Sequence, residues 1–217
     1  MNDRMQVFTR HEIGLIHDAS MEILSETGVK FDSSEALDLF RQHGFKVTNP
    51  RVYITEKEVM QALESVPSRF VVHARNPRFN VAIGEDDFVF LPTAGAPNVS
   101  TADGLRRPAT LADYHTCCQL VQTSDQLDMN GYLMVQPSDV SSQIAHLEMM
   151  MANLTLCDKA FLACSNFRQG AVDSVAMAAI AWGGEANFKK QPVMPSVVHA
   201  TSPLKYTPEM AEIIIDM

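Results

Sequence analysis

The hydrophobic pattern changes character part-way along the chain. Up to about residue 65 most apolar positions fall at helical spacing, and from Phe88 onward short apolar runs alternate with helical ones. Ile13, Ile16, Ala19, Ile23 and Leu24 share a helical face behind Thr9-Arg10-His11-Glu12, a capping-box pattern, and Gly28 ends the run. Asp32-Ser33-Ser34-Glu35 repeats the cap ahead of Ala36, Leu37, Leu39 and Phe40, with Gly44 as the stop. The spacing predicts two helices packed as a pair. Phe45-Lys46-Val47 and Val52-Tyr53-Ile54 flank a turn at Asn49-Pro50, which reads as a short hairpin. Thr55-Glu56-Lys57-Glu58 caps a third helix that Pro67 prevents from continuing. Strands are then expected at Phe70–Ala74 and Phe79–Ile83.

Phe88-Val89-Phe90-Leu91 begins a different grammar. It is an apolar strand running into the loop Pro92-Thr93-Ala94-Gly95-Ala96-Pro97-Asn98. Thr110-x-x-Asp113 then caps a helix carrying Leu111, Tyr114, Cys118, Leu120 and Val121. A second strand, Met129–Val135, ends in Gln136-Pro137-Ser138-Asp139, and a helix from about Ser142 is expected to bury Ile144, Leu147, Met151 and Leu154. A third strand, Ala160–Cys164, leads through Ser165-Asn166-Phe167-Arg168 into a helix that stops at Gly183-Gly184. The fourth, Val193–Val198, leads through His199-Ala200-Thr201-Ser202-Pro203 into a helix starting at Pro208. Each strand is apolar on both faces, which suits a parallel sheet covered on two sides. Four strand–helix units are too few to decide between an open sheet and a barrel, which closes with eight. The expected division is a small α+β lobe over 1–86 and the repeated units over 87–217.

Bulk properties narrow the function classes. The 217 residues are 46% hydrophobic and 20% charged, enough for a sizeable core, and the net charge of −9 with no basic run argues against nucleic acid or an anionic membrane as partner. No apolar run is long enough to span a bilayer and the N-terminus has no signal-peptide pattern, so a cytoplasmic protein is expected. The four cysteines, Cys117, Cys118, Cys157 and Cys164, form no C-x-x-C pair and have no zinc-type histidine spacing, so reduced thiols and no metal are expected. No nucleophile elbow, Walker loop, dinucleotide fingerprint or H-E-x-x-H is present.

Chemistry at the strand ends must then come from Thr93, Asn98, Gln136, Asp139, Ser165, Asn166, His199, Thr201 and Ser202, with Tyr132, Phe167 and Tyr206 as aromatic faces. That mix suits a small polar or cationic ligand held by cation–π and carboxylate contacts. His199 follows the fourth strand, where barrel enzymes place functional groups, and also fits a hydrogen-bonded strand-end histidine. His11, His17, His43, His115 and His146 fall on helices and are expected on solvent or half-buried faces.

Several segments carry a resemblance. Arg4-Met5-Gln6, Leu15-Ile16-His17-Asp18, Leu24-Ser25-Glu26-Thr27-Gly28-Val29, Pro92–Pro97, Arg106–Tyr114 and Tyr206-x-x-Glu209-Met210 stand in the order found in the trimethylamine methyltransferase family. The chain resembles these corrinoid-dependent methyltransferases over its whole length, and within them the non-pyrrolysine branch that includes glycine betaine methyltransferase. The resemblance implies a (β/α)8 TIM-type barrel behind an α+β lobe, of which this chain carries about the first four units. It also implies methyl transfer from a quaternary or tertiary methylamine, betaine-like or trimethylamine-like, to the Co(I) corrinoid of a partner corrinoid protein. No cofactor would be bound directly, and the catalytic residues would lie in the other half of the barrel. The residues expected to bind substrate are Thr93, Gly95, Asn98, Tyr132, Gln136, Asn166 and His199. Ala94 and Asn98 depart from the betaine-type pattern. A homo-oligomer is expected, because half a barrel leaves strand edges unpaired. The alternative is a catalytically silent half-barrel that self-associates or pairs with a C-terminal half; a weaker one is a non-catalytic binding module.

Overall fold

A computed structural model describes residues 6–92 and 94–217; the first five residues and Thr93, one of the expected substrate-binding residues, lie outside the described residues. The chain divides into two compact units, 1–67 with 199–215 and 68–198 with 216–217.

In the first unit, helix α1 (Arg10–Glu22) starts at the expected capping box. The Thr9 hydroxyl accepts from the Glu12 amide at 3.3 Å and the Glu12 carboxylate accepts from the Thr9 amide at 2.8 Å. A π-helical turn, Ile23–Thr27, extends it to Gly28, whose φ of +69° and whose approach to the Val52 carbonyl exclude a side chain. The expected pairing of the first two helices is not found: Ile13, Ile16 and Ile23 remain exposed, and α1 buries no residue. Strand β1 (Val29–Phe31) precedes α2 (Ser34–Gln42), which Ser33 caps by accepting from the Ala36 amide. The Asp32 carboxylate faces Lys30 at 3.0 Å and Lys205 at 2.8 Å instead. Strands β2 (Lys46–Thr48) and β3 (Arg51–Tyr53) form the hairpin, and α3 (Glu56–Leu63) follows the Thr55–Glu58 capping box.

The second unit opens with the antiparallel pair β4 (Arg69–Val72) and β5 (Val81–Gly84). Of the four expected strands, the second and third form a two-residue parallel ladder, and the first and fourth are irregular segments hydrogen-bonded beside them. Phe88–Leu91 forms no regular strand. The Phe90 amide donates to the Asp128 carboxylate at 2.8 Å rather than to a carbonyl, while the Phe90 carbonyl accepts from the Asp128 amide at 2.8 Å. After it come the hairpin β6 (Asn98–Ser100)–β7 (Arg106–Pro108) and helix α4 (Leu111–Thr123), which starts at the Thr110–Asp113 capping box. Strand β8 (Met129–Asn130) pairs in parallel with β9 (Ala160–Phe161), with Met129 opposite Ala160. Beyond them the Leu162 amide donates to the Asn130 carbonyl and the Ala163 amide to the Pro195 carbonyl. Val193–Val198 carries no regular strand, consistent with Pro195, which has no N–H to give a ladder.

Helix α5 (Ala145–Leu156) separates β8 from β9, and α6 (Arg168–Ala181) and the short α7 (Glu185–Phe188) follow. Ile144 and Met151 are exposed, contrary to expectation; α5 buries Met149, Met150, Ala152, Asn153 and Leu154. The chain then returns to the first unit, where β10 (Lys205–Tyr206) adds in parallel to β1, giving the order β10-β1-β3-β2. Tyr206 stacks on Phe31 at 5.0 Å, and α8 (Pro208–Asp216) places Ala211 in the same core as Val29 and Val52.

The architecture is therefore mixed α/β with small sheets, none of them closed. Among the described residues no helix is long and apolar enough to cross a membrane, and no group of His, Cys, Asp or Glu is placed to hold a metal ion.

Candidate functional site

The loops after the first two strand segments are joined by backbone hydrogen bonds. Gly95, at φ +94°, donates to the Leu133 carbonyl at 2.6 Å, and the Gln136 amide donates to the Ala96 carbonyl at 2.9 Å, with Ala96 and Val135 paired in parallel. Gly95 is needed for its backbone conformation, since an added Cβ would meet nothing within 4 Å. Asn98 stands half-buried at the start of β6, and the Gln136 side chain is exposed. The structure thus brings Gly95, Asn98 and Gln136 to one region.

Much of the remaining polar inventory holds these loops in place. The Asp139 carboxylate accepts from the Leu111 amide at 2.8 Å, adding a cap to α4, and the Ser138 hydroxyl donates to the Ala109 carbonyl at 2.9 Å. Ser165 donates to the Val197 carbonyl at 2.8 Å, tying the third strand-end loop to the fourth segment. At the foot of α4, Asp113 binds Arg107 through both oxygens at 2.6 and 2.8 Å. The guanidinium, helped by the Thr110 amide and hydroxyl, holds this carboxyl far below the usual carboxylate range.

Asn166 is exposed in the third loop. Tyr132 is buried in the same core cluster as Cys164. Burial first, and Cys164 second, push its phenol up. His199 is exposed and belongs to the other compact unit. The four cysteines are free thiols; burial pushes Cys118 up to about 11, so it is a packed group rather than a nucleophile.

Two polar constellations escaped sequence reading. Behind the loops, the Asn130 amide donates to the Asn153 carbonyl oxygen at 2.5 Å. Asn153 donates to the Tyr114 hydroxyl at 2.8 Å, and Tyr114 donates to the Tyr132 carbonyl at 2.5 Å. Asn130 and Asn153 are fully buried, and the signal available was an asparagine inside each of two apolar runs. The second is His146, expected on a solvent or half-buried face but buried. Its Nε2 lies 2.7 Å from Asp173, and its ring meets Phe167 edge-on at 5.0 Å. His146 and Gln169 lower the Asp173 carboxyl. This pair ties α5 to α6 beneath the third loop.

The pattern of the trimethylamine methyltransferase (MTTB) family matches residues 1–217. The chain belongs to that family. It is 38% identical over 207 residues to the glycine betaine methyltransferase of Desulfitobacterium hafniense, covering 95% of this chain and 43% of that protein. The L-carnitine:corrinoid methyltransferase of Eubacterium limosum is 32% identical over 128 residues, 59% of this chain and 26% of that protein. The trimethylamine methyltransferase MttB of D. hafniense is 27% identical over 218 residues, 96% of this chain and 42% of that protein. The chain thus spans less than half the length of these relatives.

Proposed function

We propose that this chain supplies the N-terminal part of a methyltransferase that moves a methyl group from a quaternary or tertiary methylamine to the Co(I) corrinoid of a partner protein. The observation that carries the reading is the family match over the full chain, with a glycine betaine methyltransferase at 38% identity. The parallel strand segments, joined in order by α4, α5 and α6, support a place for them as the first units of a (β/α)8 barrel. The loops ending the first three strands then form part of the site, with Thr93, Gly95, Asn98, Tyr132, Gln136 and Asn166 as its substrate-side residues.

A quaternary substrate asks little proton transfer of them, whereas a tertiary amine must react as its protonated ammonium so that a neutral secondary amine departs. The acceptor's electron pair forms a bond to the methyl carbon while the C–N pair departs on nitrogen, so a quaternary substrate leaves as a neutral tertiary amine. The protein's share is to desolvate the cationic head, face it with aromatic and uncharged polar groups, and align one methyl carbon with the acceptor. The hydrogen-bonded loops at Gly95–Asn98 and Gln136 provide a fixed frame for that positioning. The test is methyl transfer by the full-length parent to its cognate corrinoid protein, read as the change in cobalt absorbance. Failure with every one of glycine betaine, carnitine and trimethylamine would overturn the assignment.

A second reading has its own observation. Phe88 and Phe90 are 70% and 62% exposed on the first strand segment and Val197 58% on the fourth, so both edges of the array offer apolar surface. On this reading the chain alone is catalytically silent and acts by self-association or by pairing with a C-terminal half. Light scattering separates the two: a monodisperse monomer that unfolds cooperatively contradicts it.

A further inference from the structure

We infer that the outer face of the four-stranded sheet in the first unit is a docking surface for an acidic polypeptide segment. Along each strand the side chains alternate. Val29, Phe31, Val52 and Tyr206 turn into the core, so Lys30, Arg51 and Lys205 turn outward, as does Lys46 beside the inward Val47. The register sets these cations in a row. Lys30 stands directly opposite Lys205 on one side and Arg51 on the other. Neighbouring strands lie about 4.8 Å apart, so the three cations fall within about 10 Å of one another. Like charges directly opposite one another destabilise a sheet, and folding alone gives no reason to place them so.

One carboxylate moderates the row. Asp32 reaches Lys30 at 3.0 Å and Lys205 at 2.8 Å, and both lysines stay about one-third exposed. Arg51 and Lys46 have no ion pair among the described residues. Arg51 uses only Nη1 on the protein, donating to the Thr27 and Gly28 carbonyls at 3.1 and 3.0 Å, which leaves the hydrogens on Nε and Nη2 for a ligand. Lys46 lies 4.7 Å from the Tyr53 ring centroid and is exposed. Four cations against one carboxylate give this face three surplus positive charges, on a chain whose net charge is −9. An acidic partner is therefore drawn to this face and repelled by the rest of the surface. Spacing favours a polypeptide. Lys46 is one strand over from Arg51 and two residues along, so their Cα atoms are about 8 Å apart. Carboxylates at alternate positions of an extended segment repeat about every 7 Å, which matches that pair and keeps them clear of Asp32. A nucleic acid also carries regular negative charge, but it would meet the −9 of the whole chain with its own far larger charge.

The experiment titrates the full chain into a fluorescein-labelled octapeptide of alternating glutamate and serine and reads polarisation, with a lysine–serine octapeptide and a labelled DNA octanucleotide as comparisons. The glutamate peptide is expected to bind saturably at low salt with a midpoint below about 1 mM, rising at least about fivefold in about 0.2 M salt. Lys30→Gln and Lys46→Gln are each expected to raise that midpoint by about threefold, whereas Lys57→Gln, on α3 rather than on the sheet, leaves it unchanged. Because Lys30 stands between two other cations, Lys30→Gln is also expected to keep or raise the melting temperature, a result that a structural role for the row does not give. No saturable binding, an equal effect of Lys57→Gln, unchanged midpoints in both sheet variants, or DNA bound as tightly as the glutamate peptide would each overturn the proposal. The readout needs neither a methylamine nor a corrinoid, so its failure and failure of the methyltransferase reading are distinguishable.

Discussion

Gly170, in the first turn of α6, is where the packing behind the third strand-end loop is tightest. A Cβ added there would lie 2.5 Å from the Cys164 Sγ and 2.9 Å from the Phe167 ring, well inside van der Waals contact. The Gly170→Ala variant therefore sets two effects against each other. Alanine favours the helix by up to about 1 kcal/mol over glycine, and less in a first turn. Overpacking a close-packed site costs about 1–3 kcal/mol, because Cys164 is fully buried and Phe167 meets His146 on its other side. The clash is expected to win, for a net loss of about 1–2 kcal/mol.

A double-mutant cycle isolates the cause. Cys164→Ala removes one buried heavy atom and should cost about 1 kcal/mol by itself. In the Cys164→Ala/Gly170→Ala double variant the sulfur is gone, and the alanine methyl occupies part of the space it leaves. The double variant should therefore be more stable than the sum of the single effects predicts, by about 1 kcal/mol. Urea denaturation of the four proteins, followed by far-UV circular dichroism, gives each value. A Gly170→Ala variant as stable as the parent, or single effects that simply add, would refute a steric requirement for glycine here.

Three further outcomes follow from other contacts. Asp113→Asn should lower stability by about 1–2 kcal/mol at neutral pH by removing the carboxylate of the α4 cap and its two Arg107 contacts. Because the folded-state carboxyl lies below its usual 3.8, this contribution is complete above that value and is lost as pH falls toward the folded value; thermal melts of parent and variant should converge in acid. Asn153→Ala strips partners from the buried Asn130 amide and the Tyr114 hydroxyl and should cost about 2–4 kcal/mol; a urea midpoint near the parent's would contradict the network. Lys159 is buried and donates to the Ser124 and Leu127 carbonyls at 2.6 Å, so Lys159→Met should cost about 1–3 kcal/mol, and hydrogen exchange should rise first at the end of α4.

Local rules carried the helices, and non-local polar contacts decided what they missed. Thr9, Thr55 and Thr110 all cap as their sequences indicate, because a capping box closes within four residues and needs no tertiary partner. Of the four expected strands after residue 87, only the second and third form strands, each of two residues. Whether Phe90 donates to a carbonyl or to the Asp128 carboxylate depends on a residue 38 positions away. The candidate site shows the same limit. The left-handed turn at Gly95 was legible because it is local, whereas the contacts of Asp139 with α4 and of Ser165 with the fourth segment join residues 28 and 32 positions apart. His146 fell on a helix position that periodicity leaves open, and Asp173 on α6 and Phe167 just before it determine its burial. The periodicity of α1 led to the opposite error: its apolar stripe is real, yet Ile13 and Ile16 are exposed. A stripe records that a helix has something to cover, and the amphipathic pattern is the same whether the covering surface lies in the same unit or elsewhere.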